Sequence, residues 1–326
     1  MTGIESVTYL ASALLAILVS IIFTKLIAPR LKKAGITGKD ENKTDAPEIP
    51  EMGGLAIVAG FSAGLLLAIF IHSFFDLEVN LVYLLAAVIT IHTIAFIGVV
   101  DDLLSIPQWL KAILPLFAAM PLVALKAATN TAMVIPFIGA VDFGILYILV
   151  LVPLAIAVCS NLTNMLAGFN GMESGMGVVI FGTLSIVAIS NHSYEMAILS
   201  LSMMGALLGF MAFNFYPAKI FPGDVGNLTI GVAVASVVII GNLESAGVIL
   251  MVPYIIDFFI KAKNKFPHTY QEVKGGKLYP KDGNVKGLVH VVMKRFGGIS
   301  ERNLVLFFIG LEGVFAIIVL VMYLRV

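Results

Sequence analysis

Residues 79–102 read VNLVYLLAAVITIHTIAFIGVVDD, twenty-two positions free of Asp, Glu, Lys and Arg followed at once by two aspartates. A helix rises about 1.5 Å per residue and the hydrocarbon core of a bilayer is about 30 Å thick, so the apolar part is long enough to cross it. Asp101 and Asp102 then stand at a membrane boundary. Working outward, the same apolar pattern recurs at 6–27, 54–74, 110–126, 144–160, 174–190, 196–214, 227–243, 246–261 and 303–324, beside 80–100 itself. The sequence therefore predicts an all-α polytopic membrane protein of about ten transmembrane helices. The fourth and ninth are short, and Asp257 and Glu312 interrupt the ninth and tenth. Composition agrees: of 326 residues 60% are hydrophobic and 12% charged, with a mean hydropathy of +1.03. A soluble domain carries roughly a quarter charged residues, so that class is excluded. The single cysteine, Cys159, lies in an apolar run. It can form neither an internal disulfide framework nor a thiolate metal cluster and reads as packing.

The net charge is zero, yet the charges are one-sided. Seventeen of the twenty Lys and Arg residues fall in the segments 29–53 and 261–302 or at Lys111 and Lys219. Lys25 sits at the same end of the first span, and only Lys126 and Arg325 lie opposite. By the positive-inside rule the basic connections are cytoplasmic, and an even number of crossings puts both termini outside. The expected organisation is one integral membrane domain, 1–326, with cytoplasmic loops 29–53, 101–110, 161–173, 215–226 and 262–302. On the outer side, 127–143 with Pro136 and Gly139 predicts a small hairpin or surface helix. Basic residues follow the first span instead of preceding it, opposite to a signal peptide. There is no repeat of fixed period, and no non-membrane segment is long enough for a second soluble domain.

Three polar clusters fall on the basic side. Asp101 and Asp102 are adjacent and so point about 100° apart on a helix, which gives them different partners; Lys111 follows nine residues later. Asn161, Asn164 and Asn170 lie in SNLTNMLAGFNG with Gly168 and Gly171. Any one asparagine reads as an interhelical hydrogen bond, but three interleaved with glycines favour a site. Asp224 stands between Gly223 and Gly226 in NFYPAKIFPGDVGN, a turn if met alone. Mg²⁺ is held by one or two carboxylates plus phosphate oxygens and water, which Asp101, Asp102, Asp224 and the amides can supply, with Lys111 and Lys219 meeting phosphate charge. No G-x-x-x-x-G-K-[ST] string occurs, so an ATP-driven engine is not indicated.

PEIPEMGG (47–54), VDDL (100–103) with Lys111, NLTNMLAGFNG (161–171) and NFYPAKIFPGD (214–224) together resemble the polyprenyl-phosphate N-acetylhexosamine-1-phosphate transferases, in order and with matching membrane positions. The bacterial cell-wall branch has Asp where this chain has Ala167 and Asn170, and a triple-histidine motif absent here. AGFNG, NKT (42–44), IPE (49–51) and GGISERNL (297–304) look instead like the eukaryotic and archaeal dolichyl-phosphate GlcNAc-1-phosphate transferases. That resemblance implies Mg²⁺, with Mn²⁺ as a substitute, held by Asn164 and Asp224, and an acidic pair at Asp101 and Asp102 that acts on the lipid phosphate or organises the metal. It implies a lipid-phosphate contact at Lys111 and a lipid-phosphate path along 157–165. Substrate contacts are implied at Lys39, Asp40, Glu41, Glu51, Asn161, Asn170, Phe221, His268 and Arg302. One departure stands out: where the eukaryotic branch has Arg-His-Arg in its last cytoplasmic loop, this chain has Pro267, His268 and Thr269. Lys274, Lys277 or Arg302 would then have to compensate.

The implied reaction is attack by a polyprenyl-phosphate oxygen on the β-phosphorus of a UDP-sugar, UMP leaving, as the first lipid-linked step of N-glycosylation. The implied partners are UDP-GlcNAc or a related UDP-HexNAc, dolichyl or another polyprenyl phosphate, the bilayer, and a second copy in a homodimer; nucleic acid is not among them. The membrane would be the cell membrane of an archaeon or the endoplasmic reticulum of a eukaryote. Two alternatives compete: a bacterial-type transferase acting on undecaprenyl phosphate, and a secondary transporter. Transporters place polar groups near the midplane on interrupted helices, whereas these clusters lie at helix ends. Asp257 and Glu312 are the features that favour a transporter.

Overall fold

The computed structural model describes residues 3–75, 79–135 and 138–324; Pro136 and Arg325 lie outside them. The chain runs α1 (Gly3–Lys33), β1 (Thr37–Lys39), β2 (Glu48–Pro50), α2 (Gly54–Phe75), α3 (Leu81–Leu104), α4 (Gln108–Ala118), α5 (Met120–Ala127), β3 (Ala132–Ile135) and β4 (Gly139–Asp142). A π-helical turn, Tyr147–Leu151, leads into α6 (Val152–Met165), then α7 (Met172–Ser190), α8 (Tyr194–Asn214), α9 (Gly223–Ile240), α10 (Glu244–Leu250) and α11 (Val252–Lys263). Strands β5 (Gln271–Lys274) and β6 (Lys277–Pro280), then α12 (Leu288–Arg295) and α13 (Glu301–Tyr323), complete it.

Among the described residues nine segments are long and apolar enough to cross a membrane, counting α4 with α5 and the π-turn with α6. The tenth is the pair α10 and α11, bent by 61° at Met251. Prolines account for the breaks the hydropathy pattern does not show. Pro115 removes an amide from the α4 ladder and Pro121 opens α5, while Pro253 occupies the first turn of α11. The all-α expectation needs one qualification: each long connection carries a two-stranded antiparallel hairpin, β1–β2, β3–β4 and β5–β6. The 127–143 stretch is thus a hairpin, not a surface helix.

Several connections expected as loops are helix instead. Asp101 and Asp102 are in the last turn of α3, so only 105–107 of 101–110 is non-helical; Asn161 and Asn164 belong to α6; and α9 already begins at Gly223. The functional side chains therefore ride on helix ends.

Helix α9 is the centre of the bundle, with 89% of its spanning window buried. It packs closely against α3, and the reason is Gly98: a Cβ there would lie 2.5 Å from Val225 Cα and 2.7 Å from Val225 N. Small residues permit this backbone-to-backbone contact in membranes, where packing replaces the hydrophobic drive. At the far end, the buried Lys126 donates to Asn242 and lies 5.7 Å over the Tyr147 ring.

Asp257 and Glu312, the acids inside the ninth and tenth apolar segments, divide. Asp257 is fully buried, pairs with Lys261 at 2.8 Å and accepts from the Leu288 amide at 2.7 Å, fastening the start of α12 to α11. Lys261 also donates to the Met165 carbonyl at the end of α6. This is bracing of the polar surface layer. Glu312 is fully buried with neither oxygen hydrogen-bonded.

Candidate active site

The ends of α3, α6 and α8 and the starts of α4, α7 and α9 surround a cavity of about 780 Å³, covered by the β1–β2 connection and by residues 268–271. It lies at the end of the bundle opposite Lys126. The two aspartates have separate tasks, as their 100° offset requires. Asp102 accepts from the backbone amides of Asp224 (2.8 Å) and Val225 (3.1 Å). These are orphan amides of the α9 first turn, and a carboxylate there meets both their hydrogens and the positive end of the helix dipole. The contact at Gly98 is what brings α3 near enough for it.

Asp101 is buried, accepts from the Ile106 amide at 3.0 Å and pairs with Lys111. From the first turn of α4, Lys111 also reaches Asp224 Oδ2 at 2.9 Å. One cation thus joins two carboxylates from different helices. Asn164 lines the same floor as Asp224, and its Oδ1 accepts from Asn227 Nδ2 at 3.1 Å. Glu51, on the same floor, is pushed above the usual carboxylate range first by burial and then by the charge of Asp224.

Among the described residues no group of three or more His, Cys, Asp or Glu side chains is gathered for a metal, so a thiolate or imidazole site is not what the donors suit. A partly exposed carboxylate at Asp224 beside the amide of Asn164, with the neighbouring Asn227 Oδ1 buried and unpartnered, is a hard-oxygen donor set. It fits a small divalent cation completed by phosphate oxygens and water.

Of the expected site residues, Asp101, Asp102, Lys111, Asn164, Asp224, Lys39, Asp40, Glu41, Glu51, Phe221 and His268 all line the cavity. Three do not. Asn161 donates to the Ala157 carbonyl (2.8 Å) and the Lys111 carbonyl (3.4 Å), pinning α4 to α6. Asn170 is buried behind the wall and donates to Asp40 Oδ2 (3.0 Å) and Glu301 Oε1 (2.7 Å). Arg302 is exposed on α13, one residue from the buried Glu301. Lys219, Lys274 and Lys277 are likewise exposed and away from the cavity. The lost arginines are therefore not replaced by these cations; the last loop contributes His268, Thr269, Tyr270 and Gln271 instead.

Four residues at the wall carry no assignment from sequence: Asn42, Glu173, Gln271 and Glu301. Asn42 donates to the Gly168 carbonyl at 2.7 Å and accepts from Gln271, while Glu173 accepts from the Gly168 amide at 2.5 Å. Gly168, at φ +107°, lets the turn wrap that carboxylate. NKT and GGISERNL flagged Asn42 and Glu301 only as lineage markers, and nothing in the sequence flagged Glu173 or Gln271.

A lysine-bridged carboxylate pair with hard-oxygen donors, set in a cavity at the ends of membrane-spanning helices, has the form of an integral membrane enzyme site. Residues 83–242 match the model of glycosyl transferase family 4. The chain is 36% identical, over 95% of both sequences, to a protein of Saccharolobus solfataricus described, provisionally, as a UDP-N-acetylglucosamine–dolichyl-phosphate N-acetylglucosaminephosphotransferase. It is 26% identical to the Dictyostelium discoideum enzyme of that name, covering 88% of this chain and 81% of the relative. It is 28% identical to the phospho-N-acetylmuramoyl-pentapeptide-transferase of Halalkalibacterium halodurans, covering 76% and 79%. The chain belongs to glycosyl transferase family 4, among the polyprenyl-phosphate N-acetylhexosamine-1-phosphate transferases.

Proposed function

We propose that this protein transfers N-acetylglucosamine 1-phosphate, or a related N-acetylhexosamine 1-phosphate, from its UDP-sugar to dolichyl or another polyprenyl phosphate, releasing UMP. The observation that carries the reading is Lys111 bridging Asp101 and Asp224 at the floor of the cavity. The names of the archaeal and Dictyostelium relatives, and Ala167 and Asn170 in place of the cell-wall branch's aspartates, favour the dolichyl-type acceptor and a place at the start of lipid-linked oligosaccharide synthesis. Seventeen of twenty basic residues belong to the cavity end, which supports a cytoplasmic catalytic face.

The chemical problem is to bring two phosphate anions together in line, which is largely positioning and electrostatics. Asp224 and Asn164 would hold Mg²⁺, which supplies charge neutralisation between the two phosphates. Lys111 meets phosphate charge from the side where Leu103, Leu104 and Trp109 stand exposed, the natural approach of a lipid tail. Asp101 keeps the ammonium in place, and Asp102 fixes the start of α9 and with it Asp224. Both aspartates support these contacts, and the attacking group brings its own charge, since a phosphate monoester with a second pKa near 6 is mostly dianionic at neutral pH. Its oxygen bonds to the β-phosphorus as the bond to the bridging oxygen breaks, and UMP leaves.

The test is purified protein with UDP-GlcNAc, Mg²⁺ and a short polyprenyl phosphate, following UMP. Release should require both lipid and metal and disappear in Asp224→Asn. Release that ignores the lipid would overturn the reading.

A further inference from the structure

In the wall formed by residues 167–173 and 268–271, two buried side chains, Glu173 and Gln271, each keep an acceptor oxygen without a partner. Glu173 is 5% exposed and lines the cavity; one oxygen holds the Gly168 amide and the other, Oε2, is buried with no partner. Gln271 also lines it; its amide nitrogen is committed to Asn42, and its Oε1 is buried and unpartnered. The Asn42 amide nitrogen is committed to the Gly168 carbonyl and to Glu301, 2.7 and 3.3 Å away. Lys43, the nearest cation in sequence, is engaged by Asp40 and Glu301 and lies over the Tyr216 ring.

Buried acceptors left empty are costly, so this wall is complete only with a ligand that brings donors. Saccharide hydroxyls are donors, and a neutral sugar can place one against a carboxylate; an anionic sugar would meet repulsion there.

We infer that Glu173 is the sugar-recognition residue of this cavity, accepting a hydroxyl of a neutral hexosamine with Oε2, with Gln271 as its companion. This rests on the transferase reading given above. The donor sugar is then uncharged, without a uronate or lactyl carboxylate.

Glu173→Gln keeps an oxygen for the Gly168 amide but turns the free acceptor into a donor. The expected result is at least a ten-fold rise in KM for the UDP-sugar, with KM for polyprenyl phosphate and inhibition by UMP unchanged. UDP-GlcNAc analogues deoxygenated at the 3, 4 or 6 position identify the hydroxyl. One of them should lose as much on the unmutated protein as the natural donor loses on Glu173→Gln, and lose little more on the variant. Unchanged KM in an active variant, additive losses for every analogue, equal turnover of a UDP-hexosaminuronate, or a parallel shift in UMP inhibition and lipid KM would each overturn the inference and leave Glu173 a brace of the turn. An unmutated protein that releases no UMP from any UDP-HexNAc overturns the transferase reading itself and this inference with it.

Discussion

Gly98→Ala should disable the enzyme through geometry alone, without touching a charged group. Its added carbon would meet Val225 Cα at 2.5 Å, Val225 N at 2.7 Å and Asp224 C at 3.0 Å. Carbon atoms rest at about 3.5–4.0 Å, so α3 and α9 must part by about 1 Å, and all three neighbours are backbone atoms that cannot swing aside. The Asp102 bonds to the Asp224 and Val225 amides, 2.8 and 3.1 Å, would stretch beyond hydrogen-bond range. Asp224 would move away from Lys111 with them. Helix propensity favours alanine by about 1 kcal/mol, whereas overpacking costs about 1–3 kcal/mol, so the expected net change is a modest loss of stability. Activity should suffer more, since a displacement near 1 Å in a phosphate-transfer site costs about 100-fold. Thermal unfolding in detergent and UMP release measure the two effects. Gly182→Ala is the internal control, because its new carbon meets only Met204 Sδ at 3.5 Å and should be neutral in both assays. Full activity in Gly98→Ala, or equal damage in Gly182→Ala, would refute the claim that this close approach sets the position of Asp224.

Lys111→Ala leaves Asp101 buried and unpaired, so it should destabilise by about 3 kcal/mol; adding Asp101→Asn should restore stability but not activity, and a double variant no more stable than the single one would show that the pair is not the cause. Asp257→Ala should release α12 from α11 and expose 262–302 to proteolysis, while Asp257→Asn keeps an acceptor for the Leu288 amide and resists it; limited proteolysis distinguishes them. Glu51 has a raised pKa in the folded protein, so the fold disfavours its ionised form, and that cost is present above the folded pKa and relieved as pH falls through it. In metal-free buffer Glu51→Gln should therefore raise Tm near neutral pH, with the gap to the unmutated protein closing on acidification; a gap that widens would reverse the sign.

How much of this was legible depended on which kind of signal carried it. The spans announce themselves by length, and Asp101, Asp102 and Asp224 announce themselves because charge interrupts or closes an apolar run. The breaks at Ala119 and Met251 have visible causes in Pro115, Pro121 and Pro253, but hydropathy averages over them. What sequence could not supply is the phase of each polar residue around its helix. In water an amphipathic face betrays which side is inward. A lipid-facing helix is apolar all round, and α13 illustrates the consequence: Leu304, Val305 and Phe308 are buried while Leu306, Phe307 and Ile317, equally apolar, are exposed or nearly so. Nothing in that pattern tells Glu301 from Arg302, and the sequence reading assigned substrate contact to the exposed Arg302. The buried face instead carries Glu301, which holds Asn170 and Asn42 from 131 and 259 residues away. The same blindness hid Glu173, because whether a carboxylate at the start of α7 meets lipid, solvent or the turn before it is decided by the positive φ of Gly168 and by Asn42 reaching across 126 residues to that turn's carbonyl. The carboxylate floor of the cavity is therefore written in composition and order, but the Glu173 wall is written in helix phase, which only the assembled bundle fixes.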